Sequence, residues 1–218
     1  MDLTTFTPAS ALITVVALAL APFLAVMVTS FTKIVVVLSL LRNALGLQQS
    51  PPNIVLNGLA LVLSLYVMYP VGVAMTAAIP DSAKERGIGD PDSMAVVFDT
   101  AKEPLREFLV EHSPERERAF FLDTAKRALP DDRAAELTPE DFVIVIPAFT
   151  VSELATAFQI GFLVFLPFLV IDLVVSNILL ALGMMMLSPT MISLPFKLLL
   201  FVLVDGWVKL AHGLVLSY

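Results

Sequence analysis

Five ionisable side chains interrupt the long apolar stretches of this sequence, and they are its first candidates for chemistry. They are Lys33, Glu153, Asp172, Lys197 and Asp205. A charge at the centre of a lipid bilayer costs about 2.5–3.5 kcal/mol, so five such charges exposed to lipid would cost on the order of 10 kcal/mol. That is comparable with the stability of a whole domain. We therefore expect these groups to be paired, hydrated or outside the bilayer.

The last apolar stretch carries its polar residues on one side. Drawn as a continuous helix, it places Lys197, Asp205, Lys209 and His212 within about 120° of one another. Asp205 and Lys209 are four residues apart with the acid first, which is the favourable order for a helical ion pair. Three interpretations stay open for the embedded charges: structural ion pairs in a helical bundle, a proton or ion relay, and the wall of a water-lined pore.

Signatures of catalysis are missing from the sequence. It contains no phosphate-binding G-x-x-x-x-G-K-[ST] loop and neither H-E-x-x-H nor G-x-S-x-G. Cysteine is absent, which excludes disulfides and thiolate metal sites. His112 and His212 have no metal-binding neighbours in sequence, and Asp172 and Asp205 have no partner motif for an aspartyl site. The sequence therefore predicts a non-enzyme with no catalytic residues, no metal and no cofactor.

Composition indicates a membrane protein. Of its 218 residues, 58% are hydrophobic and 15% are charged, against about 45–50% and about 25% in soluble domains. Residues 81–141 hold 16 acidic and 9 basic residues and so account for the whole net charge of −7. No basic stripe is present to neutralise phosphates, so we expect no nucleic-acid partner. No base precedes the first apolar run, which is therefore predicted to be retained rather than cleaved as a secretory signal.

The elements that position these groups are predicted to be helices throughout, which makes the fold class all-α. Residues 1–80 form an apolar helical hairpin whose runs at 11–41 and 54–79 each exceed the ~20 residues that span a bilayer. Residues 81–141 form a small polar helical insertion, and residues 142–218 form a long, kinked apolar hairpin. A helix of about 40 residues at the start of that second hairpin would be ~60 Å long, twice the hydrocarbon thickness. Either Pro147 and Pro167 break it into separate spans, or much of it lies outside lipid.

The single arginine of the apolar regions suggests an orientation. Arg42 flanks the turn of the first hairpin, and no base precedes the first helix. Because basic residues tend to remain in the cytoplasm, this turn is predicted to lie inside. The N-terminus and the insertion 81–141 are then predicted to lie on the outer, periplasmic side.

Several segments of the sequence resemble one known family. They are TSFTKIVVVLSLLRNALGLQQSPPN (29–53), GLALVLSLYVMYP (58–70), PAFTVSELATAFQIGFLVFLPFLVIDLVV (147–175) and GMMMLSPTMISLPFKLLLFVLVDGW (183–207). They are similar to the FliP/SctR (YscR/SpaP/HrcR-type) family, the core export-gate proteins of bacterial type III secretion in flagella and virulence injectisomes. The matching segments lie in both apolar halves, whereas the insertion 81–141 carries none of the signature.

The resemblance implies a homopentameric ring that assembles with SctS-like and SctT-like subunits and contacts SctU-like and SctV-like components and the needle base. This complex forms the portal through which unfolded protein substrates leave the cytoplasm. It is implied to lie in the bacterial inner membrane and to project toward the periplasm, where helices need not match the lipid thickness. Flagellar relatives tend to begin with a longer leader, so the short segment before the first helix favours the injectisome branch.

The resemblance also implies roles for particular residues. The methionine-rich loop matching Met184, Met185 and Met186 lines the narrowest part of the portal as a gasket. Methionine has three rotatable bonds and a polarizable sulfur, so a ring of such side chains can close at rest and yield around a passing chain. The same cluster is also typical of ordinary packing at a helix end.

Two further groups complete the predicted site. A polar hinge between the first two helices comprises Arg42, Asn43, Gln48, Gln49 and Asn53. Charges at the subunit interface or the lumen, with neighbouring subunits available as partners, comprise Lys33, Glu153, Asp172, Lys197, Asp205 and Lys209. The competing interpretation is a secondary transporter or ion channel in which Lys33, Glu153 and Asp172 form a relay. It predicts small-solute flux through the purified chain alone, whereas an export gate predicts an oligomer that copurifies with small helical membrane proteins.

Overall fold

A computed structural model of the chain describes residues 8–47, 49–81, 91–184 and 186–218. These residues form helices joined by short connections, with no strand among them, so the all-α prediction is confirmed. The helices are α1 (Pro8–Met27), α2 (Phe31–Ala44), α3 (Asn53–Ala78), α4 (Pro91–Glu111), α5 (Glu115–Ala128), α6 (Asp131–Glu136), α7 (Phe142–Ala181), α8 (Pro189–Leu203) and α9 (Gly206–Val215).

The first apolar run is two helices rather than one. It breaks at residues 28–30, where the hydroxyl of Thr29 donates to the carbonyl of Ala25 at 2.8 Å and that of Thr32 donates to the carbonyl of Val26 at 2.9 Å. Such side-chain bonds offer the carbonyls of a last helical turn an alternative partner and so favour a helix end. The run 11–41 therefore supplies two segments that can pack independently.

Helix α2 is the centre of the molecule. Its residues Ile34, Val37, Leu38 and Leu41 are almost completely buried, and it packs against both α3 and α7. With 14 residues it is about 21 Å long, which is shorter than the ~30 Å hydrocarbon core. Its neighbours are protein rather than lipid.

Helix α7 is continuous over 40 residues, with Pro147 and Pro167 inside it. Of the two alternatives for this run, the break at the prolines is therefore excluded. A proline removes one backbone hydrogen bond and clashes with the preceding turn, which bends a helix without always ending it. The helix is about 60 Å long, so roughly half of its length exceeds the thickness of the hydrocarbon core.

The last apolar run, in contrast, is bent. Helices α8 and α9 meet at 60°, and Asp205 between them has a φ of 53°, in the left-handed region. Gly206 follows because a Cβ at that position would lie 2.1 Å from the ring of Phe201. The predicted continuous polar face is therefore wrong: Lys197 in α8 is buried, whereas Lys209 in α9 is exposed.

Two of the described helices, α3 and α7, are long and apolar enough to cross a membrane, and the bent α8–α9 pair would be a third if it counts as one span. In each of α3 and α7, only 17% of the most apolar 18-residue segment is buried inside the chain. Their outward faces carry large exposed apolar side chains, including Leu65, Tyr69, Phe162 and Leu173. These faces require lipid or other protein around them.

The polar insertion is packed onto the apolar helices. Helix α4 contacts α3 and α7, and α5 contacts α7. A core cluster joins Phe108 and Leu109 of α4 to Val145 and Phe149 of α7. The described part of the insertion, from residue 91 onward, is thus anchored over the first turns of α7.

The close packing of Leu40 in α2 on Gly161 in α7 provides a test of this interface. A Cβ on Gly161 would lie 2.2 Å from Cδ1 and 3.1 Å from Cβ of Leu40. Compared with an alanine substitution of a helical glycine that has open space around it, Gly161→Ala is therefore expected to lower the free energy of unfolding by about 1–3 kcal/mol. The measurement is denaturant-induced unfolding of the purified chain in detergent, followed by far-UV circular dichroism.

The matched control is Gly58→Ala in α3, where an added Cβ meets no heavy atom within 4 Å. Because alanine favours a helix interior over glycine by about 0.8–1.0 kcal/mol, this variant is expected to be neutral or more stable. Equal effects of the two substitutions would contradict the close packing of α2 on α7.

Candidate functional site

Lys33 and Glu153 form a buried ion pair between α2 and α7. The Lys33 ammonium lies 3.3 Å from a carboxylate oxygen of Glu153, and their side chains are only 3% and 5% exposed. Removing two charges from water costs several kcal/mol per ion, so such a pair persists only when each charge is compensated. The two residues are 120 positions apart in sequence, and the packing of α2 against α7 brings them together.

Tyr218 completes this site. Its hydroxyl donates a hydrogen bond to the second carboxylate oxygen of Glu153, and Lys33 Nζ lies 3.4 Å from the centre of its ring. A cation over an aromatic face is attracted by the ring quadrupole, and more strongly when desolvated. Burial raises the pKa of the Tyr218 hydroxyl above its usual value, and the nearby Glu153 carboxylate raises it further, so the hydroxyl remains a neutral donor.

His112 connects the same site to the polar insertion. Its Nδ1 lies 2.8 Å from the carbonyl oxygen of Phe108, and its Nε2 lies 3.4 Å from that of Tyr218. Its ring lies 4.4 Å from the ring of Phe108 and 5.2 Å from that of Tyr218. Sequence reasoning missed both His112 and Tyr218 as partners of Lys33 and Glu153, because no motif or spacing relates them to that pair.

Tyr218→Phe isolates the contribution of the hydroxyl. A hydrogen bond to a charged group contributes about 1.5–3 kcal/mol, so this variant is expected to lose that much unfolding free energy while its ring still covers Lys33. Tyr66→Phe is the control, because Tyr66 is exposed on the outward face of α3 and lies outside this site. The free energies of unfolding of both variants are measured by chemical denaturation. An unchanged value for Tyr218→Phe would show that the hydroxyl does not stabilise the site.

A second ion pair joins α7 to α8. Lys197 Nζ lies 2.6 Å from a carboxylate oxygen of Asp172 and donates a second hydrogen bond to the carbonyl of Ala44 at 3.1 Å. Ser193 donates to the other carboxylate oxygen of Asp172 at 2.5 Å. Lys197 is buried, while Asp172 keeps 26% of its side chain exposed. This site ties the end of α2 to α7 and α8.

The two ion pairs are not connected. Glu153 and Asp172 are 19 residues apart on one continuous helix, which places them about 28 Å from each other along its axis. The interval between them includes the buried apolar residues Ala157 and Phe168. Each acid already has its own cation, and both cations come from the same chain. This geometry favours structural pairing within the subunit over a relay.

The remaining predicted charges lie at the α8–α9 bend. Asp205 is exposed at the N-terminus of α9, and the backbone N–H of Lys209 donates to its carbonyl oxygen at 3.0 Å. The structure shows no ion pair between the two side chains among the residues it describes. The predicted side-chain pair is therefore absent from this conformation, and both groups face outward.

Of the polar hinge, Arg42 and Asn53 are brought together. The Arg42 guanidinium donates to the side-chain oxygen of Asn53 at 2.5 Å and to the carbonyl of Pro51 at 3.4 Å, which links the end of α2 to the start of α3. Asn43 and Gln49 are exposed. Gln48 lies outside the described residues.

The turn before the methionine loop is a glycine C-cap. Gly183 has a φ of 71°. Its N–H donates to the carbonyl of Leu180 at 3.1 Å, and the N–H of Met184 donates to that of Leu179 at 2.9 Å. This is the Schellman pattern, in which a left-handed residue lets the next two N–H groups satisfy the last carbonyls of a helix. Gly46 ends α2 in the same way, with a φ of 77°.

The methionine loop projects from this turn toward solvent. Met186 is fully exposed, at 101% of its reference area, and Met184 is 47% exposed. Met185 lies outside the described residues. Ser188 precedes α8, and Pro189 occupies its first turn. The described side chains of the loop therefore do not pack into the core of their own subunit.

Comparison with known proteins places these features in a family. The sequence profile described as "FliP family" matches residues 12–214, which include both ion pairs, the hinge and the methionine loop. The chain belongs to the FliP family. The recognition of the FliP/SctR family of type III secretion proteins from the sequence is thus confirmed.

Several curated relatives of this FliP-family chain match it over nearly its full length. "Yop proteins translocation protein R" of Yersinia pestis is 56% identical over 201 residues, with 92% of each chain covered. "Pathogenicity-related ORF2" of Xanthomonas campestris pv. glycines is 54% identical over 208 residues, with 95% of each covered. "Flagellar biosynthetic protein FliP" of Pectobacterium carotovorum subsp. carotovorum is 48% identical over 95% of this chain and 77% of that relative. Relatives named for Yop translocation, pathogenicity and flagellar biosynthesis are therefore all similar to this chain.

Within the described part of the FliP-family chain, no group of three or more His, Cys, Asp or Glu side chains is placed to hold a metal ion. The carboxylates of the buried Glu153 and the partly exposed Asp172 are each paired with a lysine. The arrangement is suited to holding helices together. Family membership agrees with a structural component of a secretion apparatus.

Proposed function

We propose that this chain is a core subunit of the export apparatus of a type III protein secretion system. The observation that carries the proposal is α7, a 40-residue helix in a FliP-family chain. It is about twice as long as the hydrocarbon core is thick, and most of its apolar surface is uncovered. A single subunit in a bilayer would expose part of that surface to water, whereas an assembly would cover it.

The proposed assembly is a homopentamer that forms a portal for unfolded protein substrates. Exposed apolar faces on α3 and α7 supply surface for neighbouring copies and for SctS-like and SctT-like subunits. SctU-like and SctV-like components and the needle base complete the machinery. The complex lies in the bacterial inner membrane and projects toward the periplasm, with the polar insertion on that side. The chain has no catalytic role in this proposal.

The injectisome is favoured over the flagellum. The relatives from Yersinia pestis and Xanthomonas campestris pv. glycines are 56% and 54% identical and are named for Yop translocation and pathogenicity. The flagellar relative is 48% identical. The greater identity of the first two relatives supports the virulence branch.

The gate of the proposed portal is the methionine loop, with Met184, Met185 and Met186 as its gasket. The loop leaves α7 at a glycine cap and turns Met184 and Met186 away from the core of the subunit. Flexible thioether side chains repack at little cost, and a ring of apolar side chains closes a narrow constriction to water and ions. Five copies would supply such a ring.

The mass of the native complex tests the assembly. The chain is coexpressed with its SctS-like and SctT-like partners, extracted in mild detergent and measured by native mass spectrometry. The expected result is one discrete species with five copies of this chain and bound partners. A monomer that conducts small solutes after reconstitution alone would contradict the proposal and support the transporter interpretation.

Substitution of the gasket tests the gate. Replacing all three methionines by alanine is expected to raise ion leak in cells that express the assembled portal, because shorter side chains leave the constriction open. The control replaces them by leucine, which conserves volume and apolarity, and this variant is expected to stay tight. A tight membrane with the alanine variant would exclude the gasket role.

A further inference from the structure

The thioether groups of the described residues differ sharply in exposure. The two most exposed, those of Met186 and Met191, lie at one turn together with Met184, whereas Met27 at the end of α1 is 48% exposed. Met186 is fully exposed, Met191 is 71% exposed and Met184 is 47% exposed, all between the end of α7 and the first turn of α8. Met68, in contrast, is partly buried and packs on the cluster of Phe108 and Phe149. In the single subunit, a reagent in solution therefore reaches the sulfur of Met186 first.

We propose that Met184, Met186 and Met191 form a sulfoxidation site for peroxide-type oxidants, and that their conversion to methionine sulfoxide opens the export gate. The second part of this proposal depends on the proposed gasket role of the loop, whereas the first depends only on the exposure of the three sulfurs. The site is a reactive surface of thioethers, and its co-substrate is hydrogen peroxide.

The reaction is an oxygen-atom transfer. A sulfur lone pair attacks one oxygen of hydrogen peroxide, so that an S–O bond forms while the O–O bond breaks. The sulfur loses two electrons, and the departing hydroxide takes up the proton of the transferred oxygen and leaves as water. The products are one methionine sulfoxide and one water for each peroxide consumed. Methionine sulfoxide reductases reverse this change.

Sulfoxidation removes the apolar character that lets the methionine side chains close the constriction. Oxidation converts a flexible apolar side chain into a polar one and disrupts methionine-rich contacts. An apolar constriction blocks ions because it is not wetted, and a ring of sulfoxide oxygens accepts hydrogen bonds from water. Of the nearby hydroxyls, those of Ser188 and Thr190 lie 2.9 Å apart and bond to each other, which uses one of their two O–H donors. Water supplies most of the donors that the sulfoxides need.

Peptide mapping of the assembled portal tests the site itself. The complex is treated with graded hydrogen peroxide, digested and analysed by mass spectrometry. Because oxidation follows exposure, Met186 is expected to be oxidised about tenfold faster than Met68, with Met191 and Met184 between them. Uniform rates, or faster oxidation of Met68, would overturn the assignment.

Ion leak after the same treatment tests the consequence. All measurements use a Met185→Leu background, so that the effect is assigned to the described residues. Peroxide is expected to raise leak to the level of the alanine gasket variant, and a sulfoxide reductase is expected to restore tightness. A portal that also carries M184L, M186L and M191L is expected to stay tight under peroxide, whereas the control M68L is expected to leak like its parent.

The outcomes separate this inference from the gate proposal. If the alanine gasket variant leaks but the sulfoxidised portal stays tight, the gate stands and the oxidation inference fails. If the alanine variant is tight, the gate itself fails, and the opening by oxidation fails with it. Met186→Gln adds polarity without an oxidant. A portal with this substitution is expected to leak ions, with or without Met185→Leu, and a tight M186Q portal would count against opening by polarity.

Discussion

Replacing Glu153 by glutamine is expected to lower the free energy of unfolding by about 3–5 kcal/mol, the cost of leaving one member of a buried pair uncompensated. The variant leaves the Lys33 ammonium 97% buried with no anion beside it. Lys33→Met is expected to cost a similar amount, because Glu153 is equally buried and keeps only the hydroxyl of Tyr218 as a polar partner. Chemical denaturation in detergent measures both values.

The double variant K33M/E153Q separates the interaction free energy between Lys33 and Glu153 from the cost of leaving a single buried charge uncompensated. Because replacing both members of a buried pair with neutral groups is often close to neutral, the double variant is expected to be more stable than either single variant. A matched cycle at Asp205 and Lys209 serves as the control and is expected to show coupling below about 0.5 kcal/mol, since these groups are exposed. Additive losses at Lys33 and Glu153 would contradict a direct pair between them.

The pair of Asp172 and Lys197 is expected to respond asymmetrically to substitution. Asp172→Asn leaves a buried ammonium that retains only the carbonyl of Ala44, and we expect a loss of about 2–4 kcal/mol, below the Glu153 value because Asp172 is 26% exposed. Lys197→Met leaves a partly hydrated carboxylate that still accepts from Ser193, and we expect about 1–2 kcal/mol.

The order of these two losses is the critical measurement. Ser193→Ala provides a reference, because it removes one hydrogen bond from Asp172 without leaving a buried charge. If Lys197→Met proves more damaging than Asp172→Asn, then Asp172 is buried in the native assembly by a neighbouring subunit. That result would contradict a pair satisfied within one chain and return Asp172 to the subunit interface.

The parts of the fold that sequence could predict are those with a strong one-dimensional signal. Helices α3 and α7 were predictable because each is a long apolar run, with a cluster of polar and turn residues before α3. The breaks were harder. Pro147 and Pro167 left open an interruption that α7 does not have. The bend at Asp205, in contrast, has no proline within it and depends on the close approach of Gly206 to Phe201. Packing between helices, rather than local propensity, decided these cases.

The candidate site shows the same division. The free-energy cost of exposing charges to lipid predicted that the embedded charges have partners. In the structure, Lys33 pairs with Glu153 and Lys197 pairs with Asp172. Which charge pairs with which was not predictable, since the partners are 25 and 120 positions apart. Tyr218 is harder still, because its role arises from three helices that meet around it. The function of the methionine loop remains a prediction.

Because α7 is long and continuous, a tilt at one of its ends displaces the other end. It starts against the polar insertion, ends at the methionine loop and is one unbroken helix between them. At 1.5 Å per residue, a tilt of about 5° pivoted on its first turn would displace its far end by about 5 Å. A small change of tilt near Phe142 therefore gives a larger displacement at Ala181. How far the methionine loop moves would depend on how tightly the first turns of α7 pack against the polar insertion.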